Sequence, residues 1–131
     1  MKTFYIFSFL ILSFIFLSSA SLYSQNNVYS ANDTNITVNT GDVFAISLES
    51  NQTTGYSWSV AESQDNAKLS ILNMEYMQKP NEGKVVGTGG VEVWRFKAIS
   101  SGTVKLNFYY SRSWEKDQTA AKTIVYSVTI K

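Results

Sequence analysis

The sequence predicts an all-β fold, a sandwich of about seven to eight antiparallel strands. Three observations carry this: short segments alternate apolar and polar residues at period two, clusters of Gly, Asn, Asp and Ser separate them, and no segment holds a helical period. Ile36 and Val38 open the series, followed by the turn Asn39-Thr40-Gly41-Asp42. A second strand sets Phe44, Ile46 and Leu48 on one face and Ala45, Ser47 and Glu49 on the other. Tyr56, Trp58 and Val60 make the third. In the fourth, the apolar phase shifts from Leu69 and Ile71 to Leu72, Met74 and Tyr76, as one extra residue in a β-bulge would cause. Trp94, Phe96 and Ala98 form the fifth, Val104, Leu106, Phe108 and Tyr110 the sixth, and Ile124, Tyr126, Val128 and Ile130 the seventh. Trp58 and Trp94 occupy apolar positions of alternating strands and read as core. Strands of this number and length fit an immunoglobulin-like antiparallel β-sandwich.

Ahead of the strands, Lys2 precedes an apolar run from Phe4 to Leu17, closed by the small residues Ser18, Ser19 and Ala20. That is the layout of a secretory signal peptide. The run is shorter than the about 20 apolar residues a spanning helix needs, so cleavage after Ala20 is expected. An uncleaved anchor is the alternative, but nothing basic follows the run to stop transfer. Residues 1–20 therefore read as a removed signal peptide, and 21–131 as a single domain of 111 residues, enough for one modest core. The expected location is outside the cell or in the lumen of the secretory and lysosomal pathway, and periplasmic or extracellular in a bacterium.

Composition narrows the chemistry. The chain has no cysteine and no histidine, which excludes Cys/His zinc sites and the Ser-His-Asp and Cys-His nucleophilic arrangements. Carboxylate-only catalysis needs paired acids, whereas the 10 Asp and Glu residues are scattered through turns and strand faces. No enzymatic activity, metal or cofactor is expected. With 11 Lys and Arg, one of them Lys2, against 10 acids, the mature chain is formally neutral. Nucleic acid and anionic membranes are bound through excess basic charge, so neither is an expected partner, and the domain is expected to be a monomer.

If strand direction alternates along the chain, every second connection lies at the same end. The connections after the second, fourth and sixth strands then share one rim. They are Ser50-Asn51-Gln52-Thr53-Thr54-Gly55, the piece from Lys79 to Gly90 that ends Gly87-Thr88-Gly89-Gly90, and Ser111-Arg112-Ser113-Trp114-Glu115-Lys116-Asp117. The opposite rim receives plain polar turns at 39–42, 62–68 and 100–103. Long loops on a rigid scaffold are the usual site of binding, and Trp and Arg are enriched at binding hot spots. Trp114 among polar neighbours reads as exposed; its alternative is a cap folded back on the core. The glycines fit a slack hairpin equally well, and Thr53-Thr54-Gly55 by itself is an ordinary turn.

In combination the three loops resemble those of the chagasin-like inhibitors of papain-family cysteine proteases. That family carries Asn-Pro-Thr-Thr-Gly followed by an aromatic, then Gly-x-Gly-Gly, then Arg-Pro-Trp. Here the first is similar at Asn51-Gln52-Thr53-Thr54-Gly55-Tyr56, the second matches at Gly87-Thr88-Gly89-Gly90, and the third is similar at Arg112-Ser113-Trp114. The resemblance spans about Asn39 to Lys131. Gln52 and Ser113 stand where the family has prolines, each replacement removing about 0.4–1 kcal/mol of preorganisation where proline suits the backbone.

The resemblance implies a reversible, competitive protein inhibitor whose partners are papain-like cysteine proteases, cathepsin L-like or similar. Its implied protease-binding residues are Asn51, Thr53, Thr54, Gly55, Tyr56, Gly87, Thr88, Gly89, Gly90, Arg112 and Trp114. The first loop would enter the cleft as a wedge, with Thr53 and Thr54 over the enzyme's cysteine and histidine, while the other two clasp the groove. Gly55 would allow φ > 0, Trp114 would lie on the enzyme's wall, and Arg112 would hold its loop or reach an acid on the enzyme. The rival is a secreted immunoglobulin-like carbohydrate-binding or adhesion module in which Trp114 and Tyr109 or Tyr110 stack on a sugar. A surface module with no soluble ligand is a third.

Asn32, Asn35 and Asn51 each begin an Asn-x-Thr glycosylation pattern, the last only because Gln52 is not proline. In a eukaryotic secretory pathway a glycan on Asn51 would obstruct the wedge, so active protein is expected to carry none there. Mass spectrometry finding Asn51 fully glycosylated in active inhibitor would contradict this.

Overall fold

The period-two alternation folds into two facing sheets. A computed structural model describes residues 27–62, 68–79, 89–115 and 118–131; the expected signal peptide 1–20 and its cleavage point lie outside the described residues. The strands are β1 (Asn27–Tyr29), β2 (Asn35–Val38), β3 (Val43–Ser50), β4 (Tyr56–Glu62), β5 (Leu69–Gln78), β6 (Gly90–Ala98), β7 (Gly102–Arg112) and β8 (Lys122–Ile130). One sheet runs β1-β3-β6-β5 and the other β2-β8-β7-β4.

Strand direction alternates at each connection, so the connections after β3, β5 and β7 share one rim. Neighbours of opposite parity in the chain, β3 with β6, β5 with β6, β4 with β7 and β7 with β8, are therefore antiparallel. The same alternation forces β1 with β3, and β2 with β8, to be parallel, so the sandwich is mixed where the sequence led us to expect a purely antiparallel one. β1 was also not anticipated. Its three residues, two of them exposed, offer no alternation to read. A turn closed by Asp33, which accepts from Ser30 N and Oγ at 3.0 Å each, carries the chain from β1 in one sheet to β2 in the other. The Tyr126 hydroxyl donates to Ser30 O at 2.8 Å and fastens this crossing. Burial, with the Asp33 charge nearby, pushes that phenol up to about 12.

The core lies between the sheets. Phe44, Ile46, Leu48 and Phe96 face Ile36, Trp58, Leu106, Phe108, Tyr126 and Val128. Phe108 is its hub, meeting Trp58, Trp94, Phe96 and Tyr126 edge to face at centroid distances of 5.6 to 6.5 Å, a geometry that suits the ring quadrupoles. The bulge falls where the phase shift placed it: pairing of β5 with β6 skips Leu72, between Ile71 and Asn73. Because β5 is an edge strand, Ile71, Leu72 and Met74 remain exposed even so. Trp94 is half-buried against the core, and Trp58 is 5% exposed within it.

Trp58→Ala is therefore expected to cost about 3–5 kcal/mol of stability, a large part of what a domain of this size has. Equilibrium denaturation measures it, and a loss below about 1 kcal/mol would mean that the indole is not a core element.

Candidate functional site

The connection from β3 to β4 crosses from one sheet to the other, so its shape depends on what is fixed inside it and at its two stems. Inside, Asn51 caps a single 3-10 turn, Gln52–Thr54. Its side-chain oxygen accepts from Thr53 N at 3.2 Å and Thr53 Oγ1 at 2.5 Å. Thr54 Oγ1 donates to Asn51 O at 2.6 Å, and Gly55 N to Gln52 O at 3.0 Å. Asn and Thr are suited to such turns because their short polar side chains reach the nearby backbone. Gly55 ends the turn at φ +80°, the left-handed region the sequence reading required of it.

Three polar contacts between the sheets hold the stems. The Trp58 indole N–H donates to Glu49 O at 2.9 Å, Asn51 N donates to the Tyr110 hydroxyl at 3.0 Å, and Trp58 N donates to Glu92 Oε2 at 3.1 Å. The first two satisfy backbone groups at the end of β3 and just after it, beyond the stretch that β1 covers, which ends at Ile46. The third satisfies the free edge of β4.

The connection from β7 to β8 is tied to the same loop through Arg112. Its Nε donates to Thr54 O at 3.2 Å, and its Nη1 to Glu115 at 3.1 Å. The guanidinium lies 4.4 Å over the Tyr56 ring and 5.9 Å from that of Trp114, within cation–π range. Trp114 is 65% exposed, so it does not cap the core. Its indole rests on Gly55 so closely that a Cβ there would run into the ring.

From the β5–β6 connection, Gly89 and Gly90 are described, while Gly87 and Thr88 lie outside the described residues. A Cβ on Gly89 would stand 3.2 Å from Ser50 O, and one on Gly90 would meet Met77 O and the Tyr76 ring. Close packing, not slackness, thus accounts for these two glycines. Lys79 N donates to Gly89 O at 3.2 Å, and the Lys79 ammonium pairs with Glu49 at the same distance.

Asn51, Thr53, Thr54, Gly55, Gly89, Arg112 and Trp114 therefore gather on one rim. Tyr56 stands apart, half-buried as a support between Arg112 and Tyr110, on which it stacks at 5.2 Å. Tyr110 is only 9% exposed and its hydroxyl is engaged, which removes it as a platform for a sugar. Glu92, Tyr110 and Glu115 were missed as parts of the site. The signal for Glu92 was present: it sits in phase with Trp94 and Phe96, a charge at an inward position of a strand. No group of three or more Asp or Glu suited to a metal occurs among the described residues.

Residues 37–130 match the family model described as chagasin family peptidase inhibitor I42. Amoebiasin-2 of Entamoeba histolytica is 27% identical over 120 residues, which cover 90% of this chain and 96% of that one. Chagasin of Trypanosoma cruzi is 31% identical over 84 residues, 63% of this chain and 76% of its own. The crystal structure of the cysteine protease inhibitor EhICP2 from Entamoeba histolytica shares the fold, with a TM-score of 0.71 over 80% of this chain and 95% of that one at 24% identity.

The contact between Gly55 and Trp114 is open to a direct check. Gly55→Val demands φ > 0 from a β-branched residue and fills the space under the indole. It is expected to displace Trp114, abolish the ring-current shift at position 55 in NMR spectra and move tryptophan emission to longer wavelength. Unchanged spectra would show that the ring does not rest there.

Proposed function

Since the chain belongs to the chagasin family of peptidase inhibitors, we propose that it blocks papain-like cysteine proteases reversibly and competitively, by filling the active-site cleft with this rim. The observation that carries the reading is that three carbonyls of the first loop are already engaged. Asn51 O accepts from Thr54 N and Oγ1, Gln52 O from Gly55 N, and Thr54 O from Arg112 Nε. A scissile carbonyl must reach the enzyme's nucleophile in near-attack geometry, about 3–3.5 Å away and aligned, and must exchange its existing partners for the enzyme's oxyanion donors. Each of these three carbonyls would first have to break a bond inside the inhibitor. The loop therefore occupies the site as a poor substrate, with Thr53 and Thr54 at its tip and Trp114 beside it as an aromatic anchor.

Rigidity supplies the rest. Arg112 and the Trp114 indole join the first and third loops into one surface before any enzyme arrives, which limits the entropy lost on docking. The chain has no histidine, hence no side chain with an unperturbed pKa between about 5 and 8, and its charge stays steady across the mildly acidic range in which such proteases work. The apolar run 4–17 supports export to the compartment where the target is met, outside the cell or in a secretory or lysosomal lumen.

Residues 21–131 are expected to inhibit papain and a cathepsin L-like enzyme competitively and to remain intact after prolonged incubation. No inhibition at micromolar concentration overturns the reading, and decay of inhibition with cleavage at Thr53–Thr54 or Thr54–Gly55 would mark a slow substrate. Trp114→Ala is expected to weaken binding by about 2 kcal/mol or more, the scale of a hot-spot aromatic, with little change in melting temperature. Gly55→Val should raise the inhibition constant tenfold or more, about 1.4 kcal/mol.

A further inference from the structure

Glu92 is fully buried (0% exposed) and, with Ser50, makes up the buried polar residues, tyrosine and tryptophan aside, among the described residues. Its Oε2 accepts from Trp58 N, whereas Oε1 has no partner among the described residues. Burying a carboxylate is costly, and an apolar residue in phase with Trp94 and Phe96 would be the ordinary choice at this position of β6. The side chain opposes Leu48 of β3 and Tyr76 of β5 in register and reaches across the sandwich to the edge of β4.

We propose that Glu92 is a positioning residue for the inhibitory loop, fixing the distance between its two stems. The route is a closed ring of contacts. Glu92 holds Trp58 N, three residues after Gly55, and the Trp58 indole holds Glu49 O, two residues before Asn51. Glu49 in turn lies on β3 beside β6, which carries Glu92. The β4 stem is thus located against the β3 stem by side chains alone, because β3 and β4 belong to different sheets and share no ladder. A carboxylate does this where an apolar side chain cannot, since only an acceptor orients an edge N–H.

The proposal rests on the inhibitor reading and separates from it by experiment. Removing the carboxyl leaves the buried Trp58 N–H without an acceptor, which itself costs stability, so the test reads potency under conditions in which the variant is fully folded. Glu92→Leu is expected to melt cooperatively but below the wild-type temperature and, where it is fully folded, to raise the inhibition constant against papain tenfold or more, mainly through faster dissociation, and to let the loop be cleaved slowly. Glu92→Gln keeps an acceptor oxygen for Trp58 N and should inhibit within about threefold of wild type. Wild-type potency in folded Glu92→Leu overturns the proposal alone, whereas a wild-type chain that inhibits neither papain nor a cathepsin L-like enzyme overturns the reading beneath it. A second arm needs no variant to fold. In the wild-type protein the Trp58 amide, though on an open sheet edge, should exchange with solvent deuterium as slowly as amides bonded within the β4–β7 ladder, and exchange at the rate of other open-edge amides overturns the proposal.

Discussion

Trp58 donates from both of its nitrogens to groups on the other sheet, the backbone N–H to Glu92 and the indole N–H to Glu49 O. This double attachment answers a constraint set by topology. The loop Asn51–Gly55 leaves one sheet and enters the other, so unlike a hairpin it has no ladder between its strands to fix its width. What replaces the ladder is a set of bonds across the core, and the ring of Trp58 is buried in the same place to keep them dry. Low local dielectric strengthens such bonds and makes an unpaired group costly, which ties the shape of the rim to the integrity of the core.

Above that base, the loop polar groups serve its own conformation first. Both threonine hydroxyls and the Asn51 side chain bond within the loop, and Arg112 locks Thr54 O from outside. Two loops lacking Pro at 52 and at 113 would otherwise be freer before binding. The Arg112 arrangement, stacked on Tyr56, paired with Glu115 and bonded to Thr54 O, offsets that freedom by linking loops that a proline would have stiffened one at a time. The ion pair between Lys79 and Glu49 is solvent-exposed and adds little of its own.

What could be read from the sequence follows the same physics. β3, β7 and β8 show clean alternation because each has one face on the core, and the bulge at Leu72 announced itself as a phase slip. The rim was legible because direction alternates along the whole chain, although the parallel pairing this imposes on β1 and β2 escaped notice. β1 is too short for periodicity to speak. Glu92 was passed over because a charge in a strand is ordinarily taken as outward; only its register with Trp94 and Phe96 contradicted that. The contact of Trp114 with Gly55 lies between residues 59 positions apart in the chain, and no local pattern encodes it. Gly87 and Thr88, which complete the second motif, lie outside the described residues.

The distribution of side chains along the core shows how a domain without a single cysteine holds such a rim in place. At the far end Val38, Leu69, Ala98, Val104 and Ile130 pack beside the stacked pair Phe44 and Phe96. Towards the rim, beside Ile46 and Leu48, the rings of Tyr56, Trp58, Trp94, Phe108 and Tyr110 form a chain of contacts. Near the rim the sheets have edges that β1 and β2 do not cover, so backbone groups there need partners from side chains. Aliphatic residues fill space but offer no donor or acceptor. Trp and Tyr do both, presenting an apolar body to the core and a polar tip to the backbone, as the indole does for Glu49 O and the Tyr110 hydroxyl for Asn51 N. The cross-links that a disulfide would make in another small domain are here made by aromatic side chains at the place where the rim loops begin.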